Sequence, residues 1–227
     1  MSRRKTYQEK ISDHIANVVD ARCIKNVIHF TRLSNLRGIV QHGLLSRFDL
    51  LQADVLQKST TSDVDRLDEN DHAISVSVSC FYPDMFNAKR HRSGNAPWVV
   101  LGLNPSLLWE LNCHFFAHSI VSRESKYERG ITRRDSGFAF ESLFQAPSNK
   151  PTYRETAGLP LSFPTHPDSE VQVFDPIHPQ YLQRAWVETT QDKEEVMRAL
   201  QAFGRGDFEV WVEPFKPRHS YQLTTWG

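Results

Sequence analysis

The chain has 227 residues, of which 39% are hydrophobic and 24% are charged, and this composition is typical of a folded globular protein. Its 27 basic and 27 acidic side chains cancel, so a nucleic-acid-binding surface would require that charge be segregated into patches. No apolar run approaches the roughly 18 residues that a membrane span needs, and no signal-peptide pattern follows the basic N-terminus. We therefore expect a cytoplasmic protein that does not contact a membrane.

The three cysteines argue against a disulfide framework or a zinc knuckle. Cys23, Cys80 and Cys113 are far apart and form no Cys-x-x-Cys pair. His114 and His118 are four residues apart, but they lie in a segment whose pattern predicts a strand rather than a metal-binding helix. We therefore expect no metal site and no cysteine nucleophile.

Apolar periodicity along the chain predicts an α+β protein with a mostly antiparallel sheet. Helices are expected at 7–22, 36–42 and 192–203, with a short one starting at Asn104-Pro105 and one around 48–57. Strands are expected at 26–31, 73–80, 97–103, 114–119, 170–174 and 208–213. Residues 46–72 and 120–168 show no clear periodicity, and such long segments are often functional.

Cap signals define several helix ends. Ser34 or Asn35 is expected to cap the second helix, and Gly43 is expected to close it. Asp192, with Glu195 three residues later, resembles the capping box of the last long helix.

Four polar residues at three places in the chain are candidates for chemistry, and each place also has a purely structural explanation. His29 and Thr31 end a predicted strand, where a histidine can equally belong to the core. Arg66 stands in an acidic segment, where it could clamp a phosphate or form a weak surface ion pair. Glu170 opens a strand after a long irregular segment, as catalytic carboxylates and ordinary edge residues both do.

Taken together, these motifs resemble the DarT family of NAD-dependent toxins that ADP-ribosylate single-stranded DNA. The first part of the pattern comprises His29-Phe-Thr31, Asn35-Leu-Arg-Gly-Ile39 and Gly43-Leu44. It continues with Arg66, an alternating strand from Ile74, Met85-Phe86, and Pro164-Thr-His-Pro-Asp-Ser-Glu170-Val171. The resemblance spans residues 26–215. Family members often carry Gln-Ala before the glutamate, whereas this chain has Asp168-Ser169.

The resemblance implies a fold and a set of roles for named residues. The expected fold is a single ADP-ribosyltransferase domain over residues 1–227, in which residues 1–25 form a helical extension and a split sheet is flanked by helices. Glu170 is expected to be catalytic, and Arg66 to hold the pyrophosphate or the reacting ribose of NAD. His29 and Thr31 would position the nicotinamide ribose and amide, while Asn35 and Leu44 would line the adenosine side. No Gly-x-Gly-x-x-Gly motif is present, so this NAD site is not a Rossmann site.

Two basic segments interleaved with aromatic residues are the candidate DNA-binding surface. The first contains Lys89, Arg90 and Arg92 beside Phe81, Tyr82 and Phe86, and the second includes Arg133 and Arg134 near Phe138. Both segments could instead be solvated loops. The resemblance favours DNA binding, because a target-recognition loop should precede the catalytic glutamate.

The resemblance also implies a toxin–antitoxin system in which a macrodomain antitoxin removes the modification. The modified base is expected to be guanine or thymine, and the strand from Ile74 and the context of Glu170 favour guanine. A monomer is expected. The same fold acting on RNA or protein, or a non-catalytic nucleic-acid-binding module, remains an alternative on the sequence alone.

Overall fold

The computed structural model describes residues 5–52, 70–94, 96–119, 133–205 and 208–215. Their strands form a seven-stranded sheet in the order β4-β5-β2-β1-β3-β6-β7. The strands are β1 (Val27–Arg32), β2 (Ile74–Val78), β3 (Trp98–Leu103), β4 (Cys113–Phe116), β5 (Glu170–Val173), β6 (Leu182–Val187) and β7 (Glu209–Val212). Neighbouring strands are antiparallel except β6 and β7, which are parallel. The predicted α+β class with a mostly antiparallel sheet is confirmed.

Helices of very different lengths flank this sheet. They are α1 (Tyr7–Ala21), α2 (Leu36–His42), α3 (Arg47–Gln52), α4 (Pro83–Arg92), α5 (Leu107–Glu110), α6 (Gly137–Ser142), α7 (Tyr153–Thr156) and α8 (Thr190–Gln201). The predicted helices at 7–22, 36–42 and 192–203 are confirmed, and α3 accounts for part of the one expected around 48–57. Residues 53–69 lie outside the described residues. No helix in the described part of the chain is long and apolar enough to cross a membrane.

Several local predictions are wrong for identifiable reasons. Thr189, not Asp192, caps α8, because its hydroxyl accepts a hydrogen bond from the Asp192 amide at 3.1 Å. The short helix after β3 begins at Leu107, two residues later than the Asn-Pro pattern suggests, because the Asn104 side chain accepts from the Ser106 amide at 2.9 Å in a turn before the helix. The segment expected to be irregular contains α6 and α7, because Ser136 caps α6 and the α6 residues Ala139 and Phe140 are buried.

The two faces of the sheet carry two different cores. The larger core contains the inward side chains of β1 and β3, among them Val27 and Leu101, together with apolar residues of α1, α2 and α8. The smaller core, on the opposite face, is mainly aromatic and includes Phe86, Trp98 and Trp186. Burial of each such side chain stabilises the fold by roughly 1.5–3 kcal/mol. Both faces therefore hold β1 and β3 rigidly in the middle of the molecule.

The sheet opens between β1 and β2. Their ladder registers only two pairs, Val27 with Val78 and Ile28 with Ser77. Beyond that point β1 continues along β3 as far as Arg32, while β2 pairs with β5 back to Ile74. At the positions of His29 in β1 and Ser75 in β2, the two strands do not pair with each other. This is the split sheet that the resemblance implies, and its opening contains the candidate site.

Candidate active site at the opening of the sheet

His29 lies at the start of the opening and bonds across it. Its Nδ1 is 3.1 Å from the Ser75 carbonyl oxygen, and because a carbonyl only accepts, Nδ1 carries the proton. Burial lowers the pKa of His29 to about 4; the bond to Ser75 opposes this shift and the positive charge of Lys89 adds to it. The imidazole is therefore neutral near pH 7, and its Nε2 has a lone pair that can accept a hydrogen bond from a ligand hydroxyl.

Glu170 is linked to the same serine by a different atom. The Ser75 hydroxyl donates to Glu170 Oε1 at 2.7 Å. Ser75 is the cross-strand partner of Gln172, so their side chains lie on the same face of the sheet. Glu170 is two residues before Gln172 in β5, so its side chain lies on that face as well. Ser75 thus joins the predicted NAD-binding histidine to the predicted catalytic carboxylate. Sequence reasoning did not identify this serine, which is 46 residues from His29 and 95 from Glu170.

Thr31 and Asn35 form a pair next to His29. The Asn35 side-chain amide donates to the Thr31 hydroxyl at 3.0 Å. The predicted cap is therefore wrong: Asn35 has helical backbone angles and makes no side-chain cap, because its amide is used in this bond to β1. Thr31 is buried and two residues after His29, so both point to the same side of the strand. The structure thus brings together three of the predicted cofactor-binding residues.

The turn after α2 is fixed by a glycine. Gly43 has a φ of 87°, and a Cβ at this position would lie 2.3 Å from the Ile177 carbonyl oxygen. Leu44 then exchanges two backbone hydrogen bonds with Ile177, both of 2.9 Å. The Leu44 side chain is 5% exposed and belongs to the core. Leu44 therefore contributes to the shape of this turn, and the position on the adenosine side that the resemblance implies for it stays a prediction.

The basic residues of α4 have different surroundings. Lys89 places its ammonium 5.4 Å from the centre of the Phe30 ring, directly beside His29. Arg90 forms an ion pair with Glu188 and stacks on Phe86 and Phe215. Arg92 is exposed. Arg90 thus holds the C-terminal part of the described chain, whereas Arg92 is the more accessible cation.

The second basic pair lies on the other side of Glu170. Arg134 stacks 5.0 Å above the ring of Phe116, which is the cross-strand partner of Glu170. Arg133 binds Asp135 through two hydrogen bonds and stacks on Tyr7 of α1. Arg134 is therefore close to the predicted catalytic residue. Arg66 lies outside the described residues.

A cluster that the sequence did not reveal borders Glu170. His118 Nδ1 is 3.4 Å from Asp168 Oδ1, and the rings of His118 and His166 stack with their centroids 3.9 Å apart. Burial raises the pKa of Asp168, but the bonds from His118 and from the Ser119 amide outweigh it and lower the pKa overall. His118 and His166 are far apart in sequence, so only the pairing of β4 with β5 brings them together.

The described residues contain no group of three or more histidine, cysteine, aspartate or glutamate side chains that could hold a metal ion. Burial also raises the pKa of the Cys80 thiol to about 12 and that of the Cys113 thiol further, which makes both poor nucleophiles.

Solved structures with a similar fold define the class of the protein. Thermosipho africanus DarTG in complex with ADP-ribose aligns with a TM-score of 0.53 and 10% identity, over 84% of this chain and 50% of that one. Thermus sp. 2.9 DarT aligns in complexes with carba-NAD+ and with NAD+, with TM-scores of 0.51 and 0.50, 14% identity in both, and coverage of 83% of this chain and 95% of that chain. This chain therefore has the fold of these DarT proteins, and it spans half the length of the Thermosipho chain.

The family follows from the sequence match. The family model described as "ssDNA thymidine ADP-ribosyltransferase, DarT" matches residues 28–221, which is most of the chain. The chain belongs to the DarT family, whose description is that of single-stranded-DNA thymidine ADP-ribosyltransferases. Helix α1 precedes the matched region. No curated protein matches the chain.

Proposed function

We propose that this protein transfers ADP-ribose from NAD to thymine in single-stranded DNA, with Glu170 as the catalytic carboxylate. The observation that carries this assignment is the position of Glu170, which is bonded to Ser75 at the opening of the sheet beside His29. Thymine as the acceptor rests on the description of the family, which names thymidine. The preference for guanine drawn from the sequence has no comparable support.

The chemistry begins with cleavage of the bond between C1′ of the ribose and nicotinamide. Nicotinamide leaves with the bonding electrons as a neutral molecule, and positive charge develops on the ribose, as in glycoside hydrolysis. A carboxylate next to C1′ stabilises this charge, and Glu170 supplies it. The Ser75 hydroxyl fixes the direction of that carboxylate before the substrate binds.

The acceptor then forms the new bond to C1′. In thymidine N1 already carries the deoxyribose, so N3 is the free ring nitrogen, and its proton must be taken up by a base such as the Glu170 carboxylate. Because the N3 proton is engaged in base pairing in a duplex, the reaction requires an unpaired strand. The result is a thymine that carries ADP-ribose, with nicotinamide as the leaving group.

The other predicted site residues are assigned either to NAD, which is the donor, or to DNA, which is the acceptor. His29 Nε2, Thr31 and Asn35 border the opening and are proposed to bind NAD, while Arg66 is proposed to hold its pyrophosphate or reacting ribose. Arg133 and Arg134 flank Phe116 and Tyr7 and are proposed to bind the phosphates of the DNA. Lys89 and Arg92 extend this surface on α4, whereas Arg90 supports it through Glu188.

The biological role proposed for the chain is that of a toxin. Its similarity to Thermosipho africanus DarTG supports a partnership with an antitoxin, which we propose is a macrodomain that removes the ADP-ribose. We propose that the chain acts as a monomer in the cytoplasm, where its DNA substrate lies, and that residues 1–227 form one catalytic domain with an N-terminal helical extension.

Mass measurement of defined oligonucleotides tests the reaction and the base together. The purified chain is incubated with NAD and single-stranded oligonucleotides that each lack one of the four bases. We expect an added ADP-ribose on every oligonucleotide except the one without thymine. Loss of the adduct only when guanine is omitted would reassign the base. Absence of any adduct, with RNA or protein labelled instead, would refute DNA as the substrate.

A further inference from the structure

The segment between α6 and β5 is held in its middle by two arginines, Arg22 at the end of α1 and Arg154 within the segment itself. This segment, the acceptor loop, comprises residues 143–169 and ends next to Glu170. Arg22 donates from Nη1 to the Leu161 carbonyl oxygen at 3.2 Å, and Arg154 donates from Nη2 to the Pro160 carbonyl oxygen at 3.0 Å. Two guanidinium groups therefore bind adjacent carbonyls in the middle of the loop.

Arg22 connects this loop to α1. It is the residue that ends α1, and its guanidinium lies 4.2 Å above the ring of Phe144 at the start of the loop. Burial lowers the pKa of Arg22, and so does the positive charge of Arg154, which shows that the two guanidinium groups are near each other. Arg22 thus contacts the beginning and the middle of the acceptor loop at once.

Further hydrogen bonds restrain the part of the loop that leads to Glu170. Arg154 also donates to the Thr165 hydroxyl at 2.9 Å, and the buried Thr165 donates its amide proton to the Leu143 carbonyl at 2.7 Å. Four residues later the Ser169 hydroxyl donates to the Ala117 carbonyl at 2.8 Å. The loop is therefore anchored at intervals from its first residue to the one before the catalytic carboxylate.

We propose that Arg22 is a positioning residue for the DNA acceptor: it holds the acceptor loop in the shape that receives the strand. This inference rests on the proposed function. The Leu161 side chain is 57% exposed although its carbonyl is held, so the loop presents a fixed apolar contact of the kind that packs against an unpaired base. Because α1 precedes the region that the family model matches, the acceptor site includes an element outside that region.

The experiment compares Arg22→Gln with Lys10→Gln, which removes a positive charge from an exposed position of the same helix. Steady-state rates are measured with the full chain while NAD and a thymine-containing oligonucleotide are varied separately. Loss of the guanidinium bond should raise the KM for the oligonucleotide about tenfold. The KM for NAD should stay within about twofold, since Arg22 makes none of the contacts at the donor side. Lys10→Gln should match the wild type, and Arg22→Lys should recover part of the loss because it keeps a charged donor.

The remaining outcomes decide against the proposal. An unchanged KM for DNA, or equal increases in the KM for DNA and for NAD, would show that Arg22 has no role specific to the acceptor. The slope of log K for DNA binding against log salt concentration is measured for Arg22→Gln and for the wild type. A slope that is smaller in magnitude by about one in the variant would show that Arg22 contacts a phosphate directly. If Arg22→Gln does not fold, as judged by circular dichroism, Arg154→Gln is judged by the same criteria. A wild-type chain that labels no DNA would refute the proposed function itself.

Discussion

The two halves of the split sheet are built in different ways. On the donor side, β1 and β3 register six pairs, and every residue of β3 is buried. On the acceptor side, β2 and β5 register three pairs, and β5 is entered from a long loop that side chains hold in place. In the proposed function, NAD is therefore bound by residues on a rigid scaffold, whereas DNA meets a surface whose shape depends on a few side-chain bonds. Substitutions should therefore affect the binding of NAD and the reaction with DNA separately.

The largest effect is expected from Glu170→Gln. The amide keeps the shape of the side chain but removes the negative charge, so kcat should fall at least about 10³-fold. NAD binding, measured by calorimetry, should change by less than about threefold, because the donor contacts lie on the other half of the sheet. Glu195→Gln, at an exposed position of α8, is the matched control and should behave as the wild type. Retention of more than a tenth of the activity in Glu170→Gln would remove this residue from the mechanism.

The stability of the protein should depend on pH because of His29, which lies in the half of the sheet formed by β1 and β3. His29 has a pKa of about 4 in the folded protein and an ordinary value near 6.5 when unfolded. Between these values the unfolded chain binds a proton that the folded chain does not, so acid destabilises the fold. We expect His29 to account for about 3 kcal/mol of lost stability between pH 7 and pH 4.

Urea unfolding of the wild type and of His29→Gln at several pH values measures this contribution. The difference between the two free energies of unfolding should change with pH over this window and level off above pH 7. A constant difference from pH 7 to pH 4 would mean that His29 titrates normally in the folded state.

The smallest effect is expected at the serine that joins the two halves. Ser75→Ala removes the hydroxyl bonded to Glu170 but keeps the backbone carbonyl bonded to His29. One such hydrogen bond corresponds to about a fivefold decrease in kcat, while the KM for NAD should not change. Ser77→Ala, on the same face two residues further along, is the control for local packing. Equal kinetics in the two variants would show that Glu170 is held by other contacts.

Much of the fold could be predicted from periodicity. The alternating residues from Ile74 and the fully apolar strand from Trp98 identified β2 and β3, and the apolar face of α1 was equally clear. Strand β6 was missed because its polar residues are adjacent and break the alternation. Helix α4 was missed because only Pro83 and Phe86 are buried in an otherwise polar segment.

The candidate site could be predicted only in part. The motifs that carry the resemblance point to His29, Thr31 and Glu170, although His29 lies within β1 and not at its end. The sequence did not reveal that Ser75 links His29 to Glu170, since that contact depends on which strands become neighbours. Arg22 was missed for a similar reason: its bond partner, Leu161, is 139 residues away, and only the packed structure brings the two together.

The order of the strands also determines when the active protein can form. The strands β1 and β3 that carry the donor site are complete once residue 103 has been synthesised, whereas β5 must later insert between β2 and β4. The chain between β2 and β5 must close before this pairing forms, and that closure has an entropic cost. A growing chain on the ribosome thus contains the histidine long before it contains the carboxylate. The opening of the sheet is therefore complete only after β5 has paired with β2.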